Sequence, residues 1–268
     1  MRRLLIIRSL AVAVLLASSL AAQTSQEAGK RLIQQCLKAL GGQAFLNMQN
    51  KVQHGRAYQF YEGRLSGLTV MTMYTEYEPK PASPPPGWLG VRDRRDIGKK
   101  KGYFVLFAGG QGYEVTYRGA RPFPEDYMRQ YRDRLRRDMF YILRYRLDEP
   151  GIIFESLGTD IIENQPADTL RVTDSDNRTV TVYLQQLTHL PVREKYERRD
   201  PTTRDVTEEV TNWSKYRAVS GVQLPHYTQL VRNGEKIFEM FGDDLEINKK
   251  LPESLFELQK GVKVLPSD

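Results

Sequence analysis

Apolar and polar residues alternate in two different rhythms along this chain. Between Glu27 and Leu40 the residues Leu32, Ile33, Cys36, Leu37 and Leu40 fall three and four apart, which predicts one amphipathic helix, and Gly41-Gly42 supplies its stop. From Lys51 the rhythm becomes that of strands. His54 to Tyr61, Leu68 to Tyr77 and Tyr103 to Phe107 are short runs rich in Tyr, Val, Thr and Phe. Gly98 to Gly102 and Gly109 to Gly112 fall between such runs and predict hairpin ends, because glycine supplies the positive backbone angles of tight connections. The five prolines of Pro79 to Gly87 exclude a central strand and predict an exposed, extended loop.

The second half reads as a meander: Thr169 to Thr173, Thr179 to Leu184, Pro191 to Arg198, Val206 to Trp213, Gln223 to Val231 and Ile237 to Ile247. Turn residues at Asp174 to Asn177 and at Asn233-Gly234 make these strands pair in sequence order, which implies a curved antiparallel sheet. Val180, Val182 and Leu184 alternate with Thr179, Thr181 and Tyr183, so the sheet has one apolar face. One segment interrupts this texture. Glu125 to Leu147 opens after Pro124 with two acids in its first turn, ends before Pro150-Gly151, and predicts a long helix. Met128, Tyr131, Leu135, Met139, Ile142 and Leu143 share one stripe, whereas Arg129, Arg132, Arg136 and Arg137 form a basic, solvated face. Such a helix packs on a sheet, with transient membrane-surface contact as the lesser reading.

Composition then removes several functions. The chain has 268 residues, 40% of them hydrophobic, with 40 Lys and Arg against 33 Asp and Glu. That is too polar for a polytopic membrane protein and too evenly charged for a nucleic-acid binder, which needs a concentrated basic face. Arg2, Arg3 and Arg8 precede an apolar run from Leu10 to Leu16, and small residues follow up to Ala22. Residues 1–22 therefore read as a secretory signal, too short to cross a bilayer, and 23–268 as a single exported domain. With Cys36 the only cysteine, no internal disulfide is possible, and its helical neighbours predict a buried thiol.

Candidate chemistry is sparse. His54, His189 and His226 are isolated and lack zinc-site spacing, so no metal or cofactor is expected. No nucleophile elbow occurs, the glycines of 109–112 lack the Lys-Ser/Thr of a phosphate loop, and the adjacent carboxylates Glu208-Glu209 and Asp243-Asp244 point to opposite faces of a strand. No catalytic constellation can be named, and the expectation is a protein that is not an enzyme.

Four stretches carry a resemblance. Ala39 to Gly42 begins the domain, Thr181 to Arg193 and Tyr216 to Pro225 follow, and Leu245 to Phe256 closes it with Ile247-Asn248 and Leu251-Pro-Glu-Ser-Leu-Phe256. In order and spacing these resemble the LolA-like outer-membrane lipoprotein-sorting superfamily, over nearly the whole exported domain. The resemblance implies an α+β, mainly β fold: an incomplete, strongly curved antiparallel half-barrel whose apolar concave face is covered by helices and receives acyl chains. It also implies a periplasmic or otherwise exported monomer that binds lipoproteins or lipids and carries them across the envelope. A non-enzymatic envelope-sensing or protein-interaction module on the same scaffold is the alternative. Alternating apolar strand positions would line the cavity, with flexible methionines adapting it to different chains. The expected lining is Met71, Met73, Phe104, Leu106, Leu135, Met139, Val182, Leu184, Phe238 and Met240. The plain counter-reading is that these residues fill a solid core.

Overall fold

A computed structural model describes residues 24–99, 102–200 and 203–267 of the chain; the proposed leader, residues 1–22, lies outside the described residues. The amphipathic stripe near the start forms α1 (residues 24–40), which ends where Gly41 and Gly42 adopt positive φ and the Gly42 N–H reaches back to the Leu37 carbonyl at 2.8 Å. A single turn, α2 (Gln43–Leu46), leads into the sheet.

The strands are β1 (Asn50–Tyr61), β2 (Arg64–Tyr77), β3 (Val91–Ile97), β4 (Phe104–Ala108), β5 (Gln111–Thr116) and β6 (Gly119–Pro122). Then come β7 (Ile153–Ile162), β8 (Gln165–Thr173), β9 (Thr179–Gln185), β10 (Pro191–Arg199), β11 (Val206–Val219), β12 (Val222–Arg232) and β13 (Glu235–Ile247). All belong to one 13-stranded sheet in the order β6-β5-β4-β3-β2-β1-β13-β12-β11-β10-β9-β8-β7, and every neighbouring pair is antiparallel. Each pair is a sequential hairpin or meander step except β1–β13, the seam joining the two halves. The sheet is curled and not closed, since β6 and β7 remain its two edges. The mainly β half-barrel expected from the sequence is the architecture observed.

This order dictates what covers the concave face. The chain leaves one edge at β6 and must re-enter at the other edge, β7, so the connecting segment has to cross the mouth of the half-barrel. Laid flat, the strands would hold those edges about 55–60 Å apart at ~4.8 Å per strand. Curling brings them within reach of a connection built from short helices. These are α3 (Glu125–Arg137) and α4 (Met139–Tyr141), the latter continuing as a π-helical turn over Ile142–Arg146.

The long helix expected over 125–147 is therefore broken at Asp138. Its backbone is extended (ψ 126°), its N–H still donates to the Arg134 carbonyl at 3.1 Å, and its Oδ1 accepts from the Tyr141 N–H at 2.9 Å. One aspartate thus ends α3 and caps α4. The basic face is also not wholly solvated. Arg137 is buried, pairs with Asp133, donates to the Thr179 carbonyl at 3.2 Å and lies over the Tyr196 ring.

The largest apolar core lies under α1, where Ile33, Cys36 and Leu40 pack with Leu143, Leu170, Val182 and Leu184. Burial pushes the Cys36 thiol far above its ordinary range, so it stays protonated and inert. On the convex side a 3₁₀ turn, Glu253–Phe256, packs over β3 and β4, with Arg92 above the Phe256 ring. The chain end then shields the β6 edge through an isolated parallel bridge between Ala120 and Val264. The Pro79 to Gly87 segment is an exposed loop between β2 and β3, as its prolines require.

Candidate functional site

Between the curled sheet and α3–α4 lies a cavity of about 540 Å³. Odd-numbered residues of β2 and even-numbered residues of β13 point into it, because successive strand side chains alternate faces. Met71, Met240 and Ala57 form a buried apolar floor, and the partly buried Met73, Ile97 and Phe238 pack around them. Val105, Leu230, Leu135 and Tyr127 complete the apolar walls. A second cavity, of about 570 Å³, opens by the β8–β9 rim; it is lined by Gln165, Gln185, Thr188 and Lys215 beside Pro166 and Leu190 and lacks a methionine floor. Trp213 walls both and separates them.

Of the ten residues expected to line an acyl site, Met71, Met73, Leu135, Phe238 and Met240 are brought together here. The other five are elsewhere. Phe104 and Leu106 project from the convex face into a cluster with Val115 and Ala120, against Leu258 and Val262 of the chain end; their neighbour Val105 faces the cavity instead. Met139, Val182 and Leu184 are fully buried in the core beneath α1. Alternation places Met71 with Met73 and Phe104 with Leu106 on shared faces, but it does not say which parity faces inward or which inward positions a helix already covers.

The cover is tied down at both ends. Tyr131 of α3 stacks flat on Phe107 of β4, with ring centroids 4.0 Å apart, and its hydroxyl donates to Asp93 at 3.3 Å. Burial, with the Asp93 charge adding, raises the Tyr131 phenol well above its ordinary range, so it remains a donor. In the π-helical turn Arg144 donates to the carbonyls of Phe45, Leu46 and Met48 and lies over the Tyr77 ring. Tyr145 donates to the Gly90 carbonyl at 2.7 Å. Arg146 reaches Asp174 in the β8–β9 turn at 2.8 Å.

Where α3 meets α4, two carboxyl groups face the cavity. Glu194 of β10 is buried and accepts from the Met139 N–H at 3.0 Å, beside Asp138. Burial raises both carboxyls. Glu194 is pushed well above the ordinary range, with the Asp138 charge adding to burial, while Lys51 and Arg134 in the cavity wall partly offset the rise at Asp138. A carboxyl whose pKa is raised in the folded state binds its proton more tightly there than in the unfolded chain. Its stabilising effect is complete below the unfolded pKa and is lost as pH rises toward the folded one. Glu194→Gln keeps an acceptor for Met139 and removes the charge. Urea denaturation should find it more stable than the natural protein at pH 8, by about 1 kcal/mol or more, with the gap closing as pH falls to about 4.5. Parallel pH profiles for the two proteins would show that Glu194 is ionised in the fold. This pair was not visible in the sequence, since Asp138 and Glu194 lie far apart in the chain and belong to different elements.

The histidines do not converge. His54 pairs with Thr72 at 2.9 Å, His189 occupies a turn with φ 57°, and His226 is buried on β12. Among the described residues no group of three or more metal-ligating side chains occurs, and no helix is long and apolar enough to cross a membrane.

No family model matches the chain, and none of the curated proteins does. Solved structures do. A domain described as belonging to an outer membrane lipoprotein-sorting protein of Vibrio parahaemolyticus superposes with a TM-score of 0.55 at 12% identity, covering 86% of this chain and 97% of its own. A DUF1329 family protein from Desulfovibrio piger gives 0.57 at 12% identity, over 85% and 97% of the two chains. A LolA superfamily protein from Nitrosomonas europaea gives 0.51 at 9% identity, over 86% and 97%. The chain has a LolA-like fold.

Proposed function

We propose that this LolA-like half-barrel is an exported protein that binds acyl chains of lipoproteins or lipids in its concave cavity and carries them across the cell envelope. The observation that carries the reading is the space itself: a cavity of about 540 Å³ with a methionine floor, roofed by a helical segment that crosses from one sheet edge to the other. Sites for small ligands span about 300–1,000 Å³ and are lined mainly by apolar groups. Each buried methylene of an acyl chain gains about 0.8 kcal/mol, so a chain of ordinary length offers roughly 12 kcal/mol to any site that keeps it dry. Met71, Met73 and Met240 are unbranched and polarisable, which lets one lining accept chains of different length and bend. The fold shared with a lipoprotein-sorting domain supports the same direction.

The test is direct. Delipidated protein should take up a fluorescent fatty acyl probe with micromolar affinity or better, and Phe238→Asp should weaken uptake at least about tenfold by placing a charge on the cavity wall. Absence of uptake, with a single stoichiometric protein partner recovered instead, would replace this reading by a protein-interaction role.

A further inference from the structure

The cavity is not uniformly apolar. Gln53 of β1 and His226 of β12 are both more than nine-tenths buried, and the Nε2 atom of each has no hydrogen-bond partner among the described residues. They meet at one place. Gly242 of β13 lies between the two strands, paired with Gly55 on the β1 side and following Phe241, the partner of Tyr227, on the β12 side. The Gln53 amide nitrogen sits over the bare α-carbon of Gly242, only 2.6 Å from where a β-carbon would stand, while His226 Nδ1 lies 3.2 Å from the Gly242 carbonyl. Gln53 lines the cavity; His226 is buried beside that lining rather than in it, on the strand that contributes Leu224, Pro225 and Thr228 to the wall.

The chemistry of the two orphan atoms is complementary. A carbonyl can only accept, so the hydrogen in the His226–Gly242 contact is on Nδ1, and in the neutral ring Nε2 is then an acceptor. The Gln53 nitrogen is a donor. A buried donor and a buried acceptor left unpaired are each costly, and together they ask for a single group that gives one hydrogen bond and takes one.

We propose that Gln53 and His226 form a polar anchor for the head of the bound chain, selecting amphiphiles whose head group both donates and accepts, such as an amide or a hydroxyl, over esters, which only accept. This rests on the acyl-binding reading and adds the ligand's orientation and class. The head is held at the β1–β13–β12 seam while the hydrocarbon lies over Met71 and Met240. The unpaired polar atoms also explain why the seam carries Gly242. A side chain there would drive the Gln53 amide from its place.

The experiment displaces diphenylhexatriene, a pure hydrocarbon probe, from the full exported domain at pH 8. Competitors are dodecanamide, dodecanol and methyl dodecanoate. The amide, the alcohol or both should displace the probe at about tenfold lower concentration than the ester, and whichever does so identifies the head group. Gln53→Met and His226→Phe should each still bind the hydrocarbon probe, showing an intact cavity, and should each erase most of that preference. If diphenylhexatriene does not bind the natural protein, the cavity reading itself fails. If it binds but the ester competes as well as amide and alcohol, or the preference survives both substitutions, the anchor alone is overturned.

Discussion

Gly55→Ala is expected to cost about 3 kcal/mol of stability or to prevent folding, seen as a large fall in the urea midpoint. A β-carbon at Gly55 would stand 1.9 Å from the Phe241 carbonyl oxygen and 2.9 Å from the Gly242 α-carbon, both backbone atoms that cannot swing aside. The crowding arises because the β1–β13 register shifts between His54 and Gly55, pressing the two backbones together. The consequence reaches beyond one contact. Among the described residues β1–β13 is the only pairing in the sheet not made between strands consecutive in sequence, and it joins the two halves of the half-barrel. Met71 comes from one half and Met240 from the other, so the cavity floor exists only while this seam is closed. Gly67→Ala on β2 is the control: its β-carbon would meet only the Gln59 side chain, with the flexible Oε1 nearest at 3.2 Å and Cβ at an ordinary 3.5 Å, and should change stability by less than about 1 kcal/mol. A Gly55→Ala protein as stable as the control would show that the seam does not hold the halves together as described.

Asp174→Ala is expected to cost a further amount of the same order, about 3 kcal/mol, and to loosen the cover over the cavity. The Asp174 side chain is 2% exposed and receives Arg146, itself 5% exposed, at 2.8 Å and Arg178 at 2.8 Å, while its Oδ1 accepts from the Arg178 N–H at 2.9 Å. Removing the carboxylate leaves the buried Arg146 with Glu149 as its remaining carboxylate partner, beside the Arg136 carbonyl. Breaking one partner of a buried ion pair is far more costly than the pair is stabilising. Burial by itself would raise the Asp174 carboxyl, but hydrogen bonds from Arg146 and Arg178 overcome it and bring the pKa to about 2. A carboxyl depressed in the folded state adds stability that is fully present above its unfolded pKa, near 4, and is lost as pH falls through its folded value. The natural protein should therefore lose stability between about pH 4 and 2 more steeply than Asp174→Ala. Because Arg146 ends the π-helical turn, the variant should also show faster amide hydrogen exchange in 139–146 than in the β1–β2 hairpin. Equal protection of those amides in both proteins would argue that Asp174 does not hold the cover.

Local physics made much of this fold legible. The α1 stop at Gly41-Gly42, the hairpins at 109–110 and Asn233-Gly234, the proline loop and the β8 to β13 meander all follow from residue types that admit few backbone conformations. The strands missed from the pattern have a common cause. β3 reads Val-Arg-Asp-Arg-Arg-Asp-Ile, and its charges are accommodated by cross-strand and cation–π partners, with Arg94 over the Phe104 ring at 3.7 Å. β6 has four residues, and β7 is an edge strand with Ile153, Leu157 and Ile161 exposed. None of the three displays the alternation of a half-buried strand.

The amino-acid order alone determined the secondary structure of most of the chain and the one apolar face of its sheet, since each depends on neighbours within a few residues, while the half-barrel was implied only by the family resemblance. Tertiary structure decided the rest. The turn of the sheet set which strand parity faces inward, so Val105 rather than Phe104 meets the cavity. The position of α1 left Val182 and Leu184 packed and Met71 and Met240 beside open space. The seam and the crossing segment brought Gln53 to His226 and Asp138 to Glu194, pairs whose separation in the chain no periodicity can span. A cavity is a difference between the surface that strands offer and the surface that helices occupy, and that difference exists only once both are in place.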